Sequence, residues 1–206
     1  MTHEVPDRPG SMVGIGIFTY KQTDYLVTVD YYSDFWELDL LPDTTSAAII
    51  NCLKGHFSIH GIPDTLISDN GPQLCSVEFS KFSQQWKFDH VTSSPYHSHS
   101  NGKAESAVKI AKGLNKRVTK SNMDNSKAIL DWRNTPTEGM DSSPTQRLMS
   151  RRTRNTLQIA DELLKPKEVE NVRQKKMLKH QHSKFQYDKG ARVGNGTICP
   201  YVAPTK

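Results

Sequence analysis

Along this chain the spacing of apolar residues changes period several times, and each change marks an element. Three runs, Met12 to Tyr20, Tyr25 to Tyr32 and Phe35 to Leu41, are rich in aromatic and β-branched residues and read as strands. The short polar stretch Lys21-Gln22-Thr23-Asp24 makes the first two a hairpin. From Thr44 or Thr45 to His60 the period becomes helical, with Ile49, Ile50, Leu53 and Phe57 on one face, and Gly61 and Pro63 stop it. Thr65-Leu66-Ile67 is a short strand that closes at Asp69 on an Asn70-Gly71 turn. A helix over Val77 to Trp86 places Phe79, Phe82 and Trp86 together, a strand follows over Phe88 to Thr92, and Ser93 to Ser100 form a polar loop. The next helix, Asn101 to about Lys120, carries an apolar stripe of Ala104, Ala107, Val108, Ala111, Leu114 and Val118. A further helix spans Ser126 to Arg133, and Ser143-Pro144 has the signature of a helix start. From Thr153 the chain is helical in tendency without a deep apolar face, and Gly190 to Lys206 shows no clear pattern. The order βββ-α-β-α-β-α-α describes a mixed α/β sheet flanked by helices.

Composition adds a division to this picture. At 206 residues and 35% hydrophobic content there is room for one ordinary core and a solvated or partner-ordered appendage. The formal charge of +5 is uneven: residues 1–149 hold 14 Lys and Arg against 17 Asp and Glu, and residues 150–206 hold 13 against 5. A near-neutral core with a basic extension suggests a polyanion partner, since Lys and Arg that neutralise phosphates release counterions. On charge alone a solvated helical tail is an open alternative. The division expected is a loose leader over 1–11, a core over 12–150, and a basic helical arm with an irregular tail over 151–206.

Cys52, Cys75 and Cys199 are far apart and form no C-x-x-C, so neither a disulfide framework nor a zinc module is implied. His56 and His60 have the i, i+4 spacing of a metal pair but lack matching cysteines. No run is long enough for a membrane span and no apolar signal core opens the chain, so an intracellular, reduced protein without membrane association is expected.

Two acids stand where a chain presents an outward carboxylate. Asp69 ends a strand, and Glu105 lies in the first turn of an amphipathic helix. Such a pair can converge on one Mg²⁺, which favours a few carboxylates with water and phosphate, and metal-assisted phosphoryl transfer needs a third acid. Behind Glu105, Lys109, Lys112, Lys116 and Lys120 continue one helical stripe. Alone, this is an ordinary exposed face with a Glu–Lys pair contributing a few tenths of a kcal/mol. Beside Asp69 it reads as a track for a phosphate backbone.

The segments Tyr25-Leu26-Val27-Thr28-Val29-Asp30-Tyr31-Tyr32-Ser33, His60-Gly61-Ile62-Pro63, Ser68-Asp69-Asn70-Gly71-Pro72-Gln73 and Ser100-Asn101-Gly102-Lys103-Ala104-Glu105 follow in order. Together they resemble the integrase core of gypsy-type long-terminal-repeat retrotransposons, transposable elements whose Pol polyproteins carry relatives of retroviral integrases. The likeness covers 12–150 and continues into Arg151-Arg152. It implies a ribonuclease-H-like fold with a five-stranded mixed sheet, and a D, D, E site using Mg²⁺ or Mn²⁺. It further implies DNA as partner, a homo-oligomeric working form, a nuclear place of action, and two reactions: trimming of a DNA end and strand transfer. By position, Asp69 is the second acid and Glu105 the third. Asn70 shapes the turn beside the metal and, with Asn101, Lys103, Lys109, Lys112 and Lys116, meets DNA. The upstream zinc module and small C-terminal β-domain usual in such integrases are not visible in these residues.

The resemblance also locates a departure. The family's first acid lies in a stretch like Val-Gly-Met-Asp-Leu-Phe, and the matching stretch is Val13-Gly14-Ile15-Gly16-Ile17-Phe18, with Gly16 in place of the aspartate. Asp30 belongs to the next strand, where a structural role is expected ahead of a metal role. The expectation is an integrase-type core that binds DNA with an incomplete D, D, E site. Mg²⁺ or Mn²⁺ is held weakly by Asp69 and Glu105 or not at all, Gly16 faces an empty gap without a packing role, and polynucleotidyl transfer is impaired. The alternative is a non-catalytic nucleic-acid-binding protein derived from such an integrase. A third reading, a ribonuclease H of the same fold, is disfavoured by the Asp-Asn-Gly and Asn-Gly-Lys-Ala-Glu contexts.

Overall fold

The hairpin that opens the sheet turns on two residues. Lys21 and Gln22 both take positive φ (49° and 60°), as a type I′ turn demands, so β1 (Met12–Tyr20) and β2 (Thr23–Asp30) pair from Tyr20–Thr23 back to Val13–Asp30. The second strand therefore starts two residues earlier than its apolar run. The computed structural model describes residues 5–93 and 102–194. With β3 (Trp36–Leu41), β4 (Thr65–Ser68) and β5 (Asp89–Thr92) the strands form one sheet in the order β3-β2-β1-β4-β5. The β1–β2 and β2–β3 pairs are antiparallel, and β1–β4 and β4–β5 are parallel. This is the five-stranded mixed sheet expected of a ribonuclease-H-like fold.

Helices cover both faces. On one side, α1 (Ser46–His60) and α2 (Val77–Trp86), capped by Thr45 and Ser76, bury Ile49, Leu53, Phe57, Phe79 and Phe82 against Val13, Ile15, Leu26 and Leu66. On the other, α3 (Gly102–Ser121) and α4 (Asn125–Asn134) pack Ala104, Ala107, Ala111, Leu114 and Trp132 against Phe18, Val27, Val29 and Trp36. Alternation along β1 thus sends Val13 and Ile15 to the α1 face, and Gly14, Gly16 and Phe18 to the α3 face. Beyond lie α5 (Pro144–Met149), opened by a capping box between Ser143 and Gln146, α6 (Asp161–Leu164) and α7 (Val172–Gly194). None of the described helices is long and apolar enough to cross a membrane.

The start of the described chain and the start of α7 are tied down more firmly than the sequence suggests. Val5 is buried, Arg8 pairs with Asp64 at 2.6 Å, and the carbonyl of Ser11 accepts from the amides of Asp64 and Thr65. Residues 5–11 are therefore an anchored edge and not a loose leader. The arm has buried residues of its own, Val172 and Lys176, at the start of α7.

Candidate active site and nucleic-acid face

In the parallel β1–β4 register, Met12, Val13 and Gly14 lie opposite Thr65, Leu66 and Ile67. β4 ends at Ser68, so Asp69 lies in the turn that follows the strand paired with the start of β1. Asp69 is exposed, and its Oδ1 accepts from the Gly71 amide at 3.0 Å, an Asx turn that fixes the carboxylate against its own loop. Behind it, the buried Ser68 hydroxyl donates to the Asp69 carbonyl and meets His90 Nε2, both at 2.8 Å. Burial lowers the His90 pKa. Ser68, between the Asp69 carbonyl and His90, thus braces the main chain at the acid.

The helix α3 runs in the same direction as β1. A Cβ built on Gly16 would lie 3.7 Å from Ala104 Cβ and 3.0 Å from Val108 Cγ2, and Lys112 Nζ sits 5.3 Å from the Phe18 ring centroid. The first turn of α3, with its exposed Glu105, therefore stands over Gly14 and Gly16 at the end of the sheet where Asp69 emerges. Tyr31 fills the adjoining space: a Cβ on Gly14 would come within 2.8 Å of Tyr31 Cε2. Burial, then the nearby Glu105 carboxylate, push the Tyr31 hydroxyl pKa up.

Gly16 does not face an empty gap. Val108 and Ala104 close on it, and the absence of a side chain allows that approach, so the glycine has a packing role that strand alternation alone does not reveal. Asp30 points the other way. It lies on the α1 face and is buried, accepting from the amides of Gly10 (2.9 Å) and Ser33 (2.7 Å) and from the Ser33 hydroxyl. It closes the β2–β3 corner and is separated by the sheet from Glu105.

Among the described residues no group of three or more His, Cys, Asp or Glu side chains is placed to hold a metal ion. Of the positions the resemblance assigns to a metal site, Asp69 and Glu105 are exposed and Gly16 offers no ligand side chain. His56 and His60 engage acids of β3 instead: His56 Nε2 lies 2.9 Å from Asp39, and His60 Nε2 lies 3.2 Å from Glu37.

The lysines divide. Lys109 and Lys116 are exposed on the Glu105 flank of α3, and Lys112 lies half-buried along Phe18 on that flank. Lys103 is turned away from it and paired with Asp34, so it is not a free contact for DNA. Asn70 is exposed and within 3.8 Å of Cys75 Sγ, and Asn101 lies outside the described residues. Nothing local in the sequence singles out Tyr31, Ser68 and His90, whose contacts form only when strands and helix meet.

Residues 9–98 match the family model described as the integrase core domain. An uncharacterized protein of Caenorhabditis elegans is 32% identical over 198 residues, which is 92% of this chain and 15% of that relative. The Gag-Pro-Pol polyprotein of Simian retrovirus SRV-1 is 35% identical over 81 residues, 39% of this chain and 5% of the polyprotein. The chain thus spans a small part of these relatives. Among solved structures, a chain of the simian T-cell lymphotropic virus intasome is 25% identical with a TM-score of 0.61, covering 74% of this chain and 59% of that one. The catalytic core domain of BIV integrase (17% identical, TM-score 0.59, covering 68% of this chain and 94% of that one) shares the fold. So does the HTLV-2 integrase catalytic core solved with magnesium in trimeric form (22%, 0.55, 69% and 98%).

Proposed function

Because this chain carries an integrase-type core domain related to those of the retroviral integrases, we propose that it binds DNA, in the nucleus and as a homo-oligomer, while performing little or no strand transfer. The observation that carries this reading is Gly16, a residue without a ligand side chain that Val108 and Ala104 cover on the α3 face. Two carboxylates remain where the family's chemistry uses three. Lost coordination costs several kcal/mol of transition-state stabilisation, which is orders of magnitude in rate. The exposed Lys109 and Lys116, with Lys112 between them on the same flank, support the DNA-binding half of the reading. The intasome and trimeric forms of the structural relatives motivate the oligomer.

The test compares the unaltered chain with Gly16→Asp on DNA ends in Mg²⁺ or Mn²⁺. Salt-sensitive DNA binding without strand transfer is expected of the unaltered chain, with some transfer appearing in Gly16→Asp. Robust transfer that the substitution leaves unchanged would overturn the impairment. The glycine also favours a second reading, a nucleic-acid-binding protein with no catalysis left, for which Gly16→Asp remains silent while binding persists.

A further inference from the structure

Asp34 sits in the corner between β2 and β3 with a left-handed backbone (φ 62°), and three cations from three separate elements converge on its carboxylate. Lys103, in the first turn of α3, and Lys176, in α7, both donate to Oδ1, Lys176 at 2.9 Å. Arg147 of α5 donates to Oδ2 at 3.1 Å. These are interior charges: the side chains of Arg147 and Lys176 are 0% and 3% exposed. Arg147 also donates to the Ser33 carbonyl at 2.8 Å, and Lys176 to the Tyr31 carbonyl at 2.7 Å. A surface pair would contribute little, but removing one partner of a buried pair leaves an uncompensated charge inside the protein.

Lys103 precedes Glu105 by two positions, and two helical steps rotate a side chain by about 200°. A lysine anchored at the β2–β3 corner therefore turns Glu105 to the opposite flank. On that flank Val108 lies against Gly16 and Lys112 over Phe18. Lys176 reaches the same turn by a second route. It holds the main chain of Tyr31, whose ring packs over Gly14, a position Ala104 also covers.

We infer that Asp34 and Lys176 are positioning residues: α7, docked through Lys176 onto Asp34, holds Lys103 and with it the rotation of α3 that presents Glu105 towards Gly16 and Asp69. The inference rests on the reading of Glu105 as a site residue given above. It makes the basic arm a support of the site as well as a tail, so that undocking of α7 loosens the first turn of α3.

Amide hydrogen exchange on the full chain tests this without DNA or metal. Lys176→Met is expected to speed exchange over 102–107 by about tenfold or more, while β4 (Thr65–Ser68) stays protected. Lys175→Met, which removes only an exposed bridge to Asp141, leaves 102–107 unchanged. Asp34→Asn, which keeps a residue tolerant of left-handed backbone, speeds exchange in both 102–107 and 172–178. Exchange over 102–107 that ignores Lys176→Met and Asp34→Asn overturns the inference, as does acceleration spread equally into β4. Salt-dependent DNA binding of the same variants tests the functional reading separately, so failure of one is distinguishable from failure of the other.

Discussion

Restoring an acid at Gly16 perturbs the site in a way that stability measurements can read without any activity. The new Cβ would stand 3.0 Å from Val108 Cγ2 and 3.7 Å from Ala104 Cβ, so α3 must give by a few tenths of an ångström. Overpacking of this kind costs about 1–3 kcal/mol. Placing a carboxylate under the first turns of α3 adds about 1 kcal/mol or more of desolvation. Gly16→Asp is therefore expected to destabilise the metal-free chain by about 2–4 kcal/mol, a fall of about 4–16 °C in Tm for a domain of this size. Combining it with Val108→Ala should cost less than the sum of the two single changes, by about 0.5 kcal/mol or more, because the residues are in contact. A divalent ion bound by three carboxylates then repays part of the loss, about 2.7 kcal/mol at a hundredfold excess over Kd. The unaltered chain, with two carboxylates, should respond less. Calorimetric melts of both proteins in EDTA and across a series of MgCl₂ and MnCl₂ concentrations measure each term. A Gly16→Asp protein as stable as its parent without metal, and no more responsive to it, would refute the geometry.

Three further outcomes are expected. Asp34→Ala leaves Arg147 and Lys176 unpaired in the interior and should lower stability by about 3–5 kcal/mol in urea unfolding; an unchanged midpoint would contradict the buried cluster. Burial, with Lys103 and Arg147 nearby and only Asp34 opposing, brings Lys176 down to about 7 from 10.5. Above pH 7 the unfolded chain then holds a proton that the folded one has released, so stability rises with pH through this window, by up to about 1.4 kcal/mol per unit from this group. Lys176→Met should flatten that rise, and identical pH profiles for the two proteins would exclude the assignment. In DNA binding, Lys109→Met and Lys116→Met should each reduce the slope of log K against log salt by about 0.9 if each meets a phosphate. Lys103→Met should leave the slope unchanged, because Asp34 already occupies that ammonium.

Most elements were legible because apolar period reports directly on which side of a strand or helix is buried. Ile49, Ile50, Leu53 and Phe57 declared α1, and the alanine stripe declared α3, with boundaries within a few residues. The start of β2 was misplaced because Lys21 and Gln22 form an I′ turn without the Gly or Asn that usually announces one. The leader read as loose because its anchors, Arg8 to Asp64 and Gly10 to Asp30, are separated by 56 and 20 residues, distances over which no local pattern extends. Lys103 read as one of a set of DNA-facing lysines for a related reason: its partner Asp34 lies 69 residues away.

The order of residues alone was enough to place Asp69 at a strand end, Glu105 in a first helical turn and a glycine where the resemblance expects an acid. Those are local properties, written in spacing and residue type. Folding decided the rest. It set Asp30 on the far face of the sheet, closed Val108 over Gly16, tied Lys103 to Asp34 and brought Lys176 of the arm to that same carboxylate. Each of those outcomes depends on strand register and helix docking, in which burial and charge compensation are settled by groups far apart along the chain.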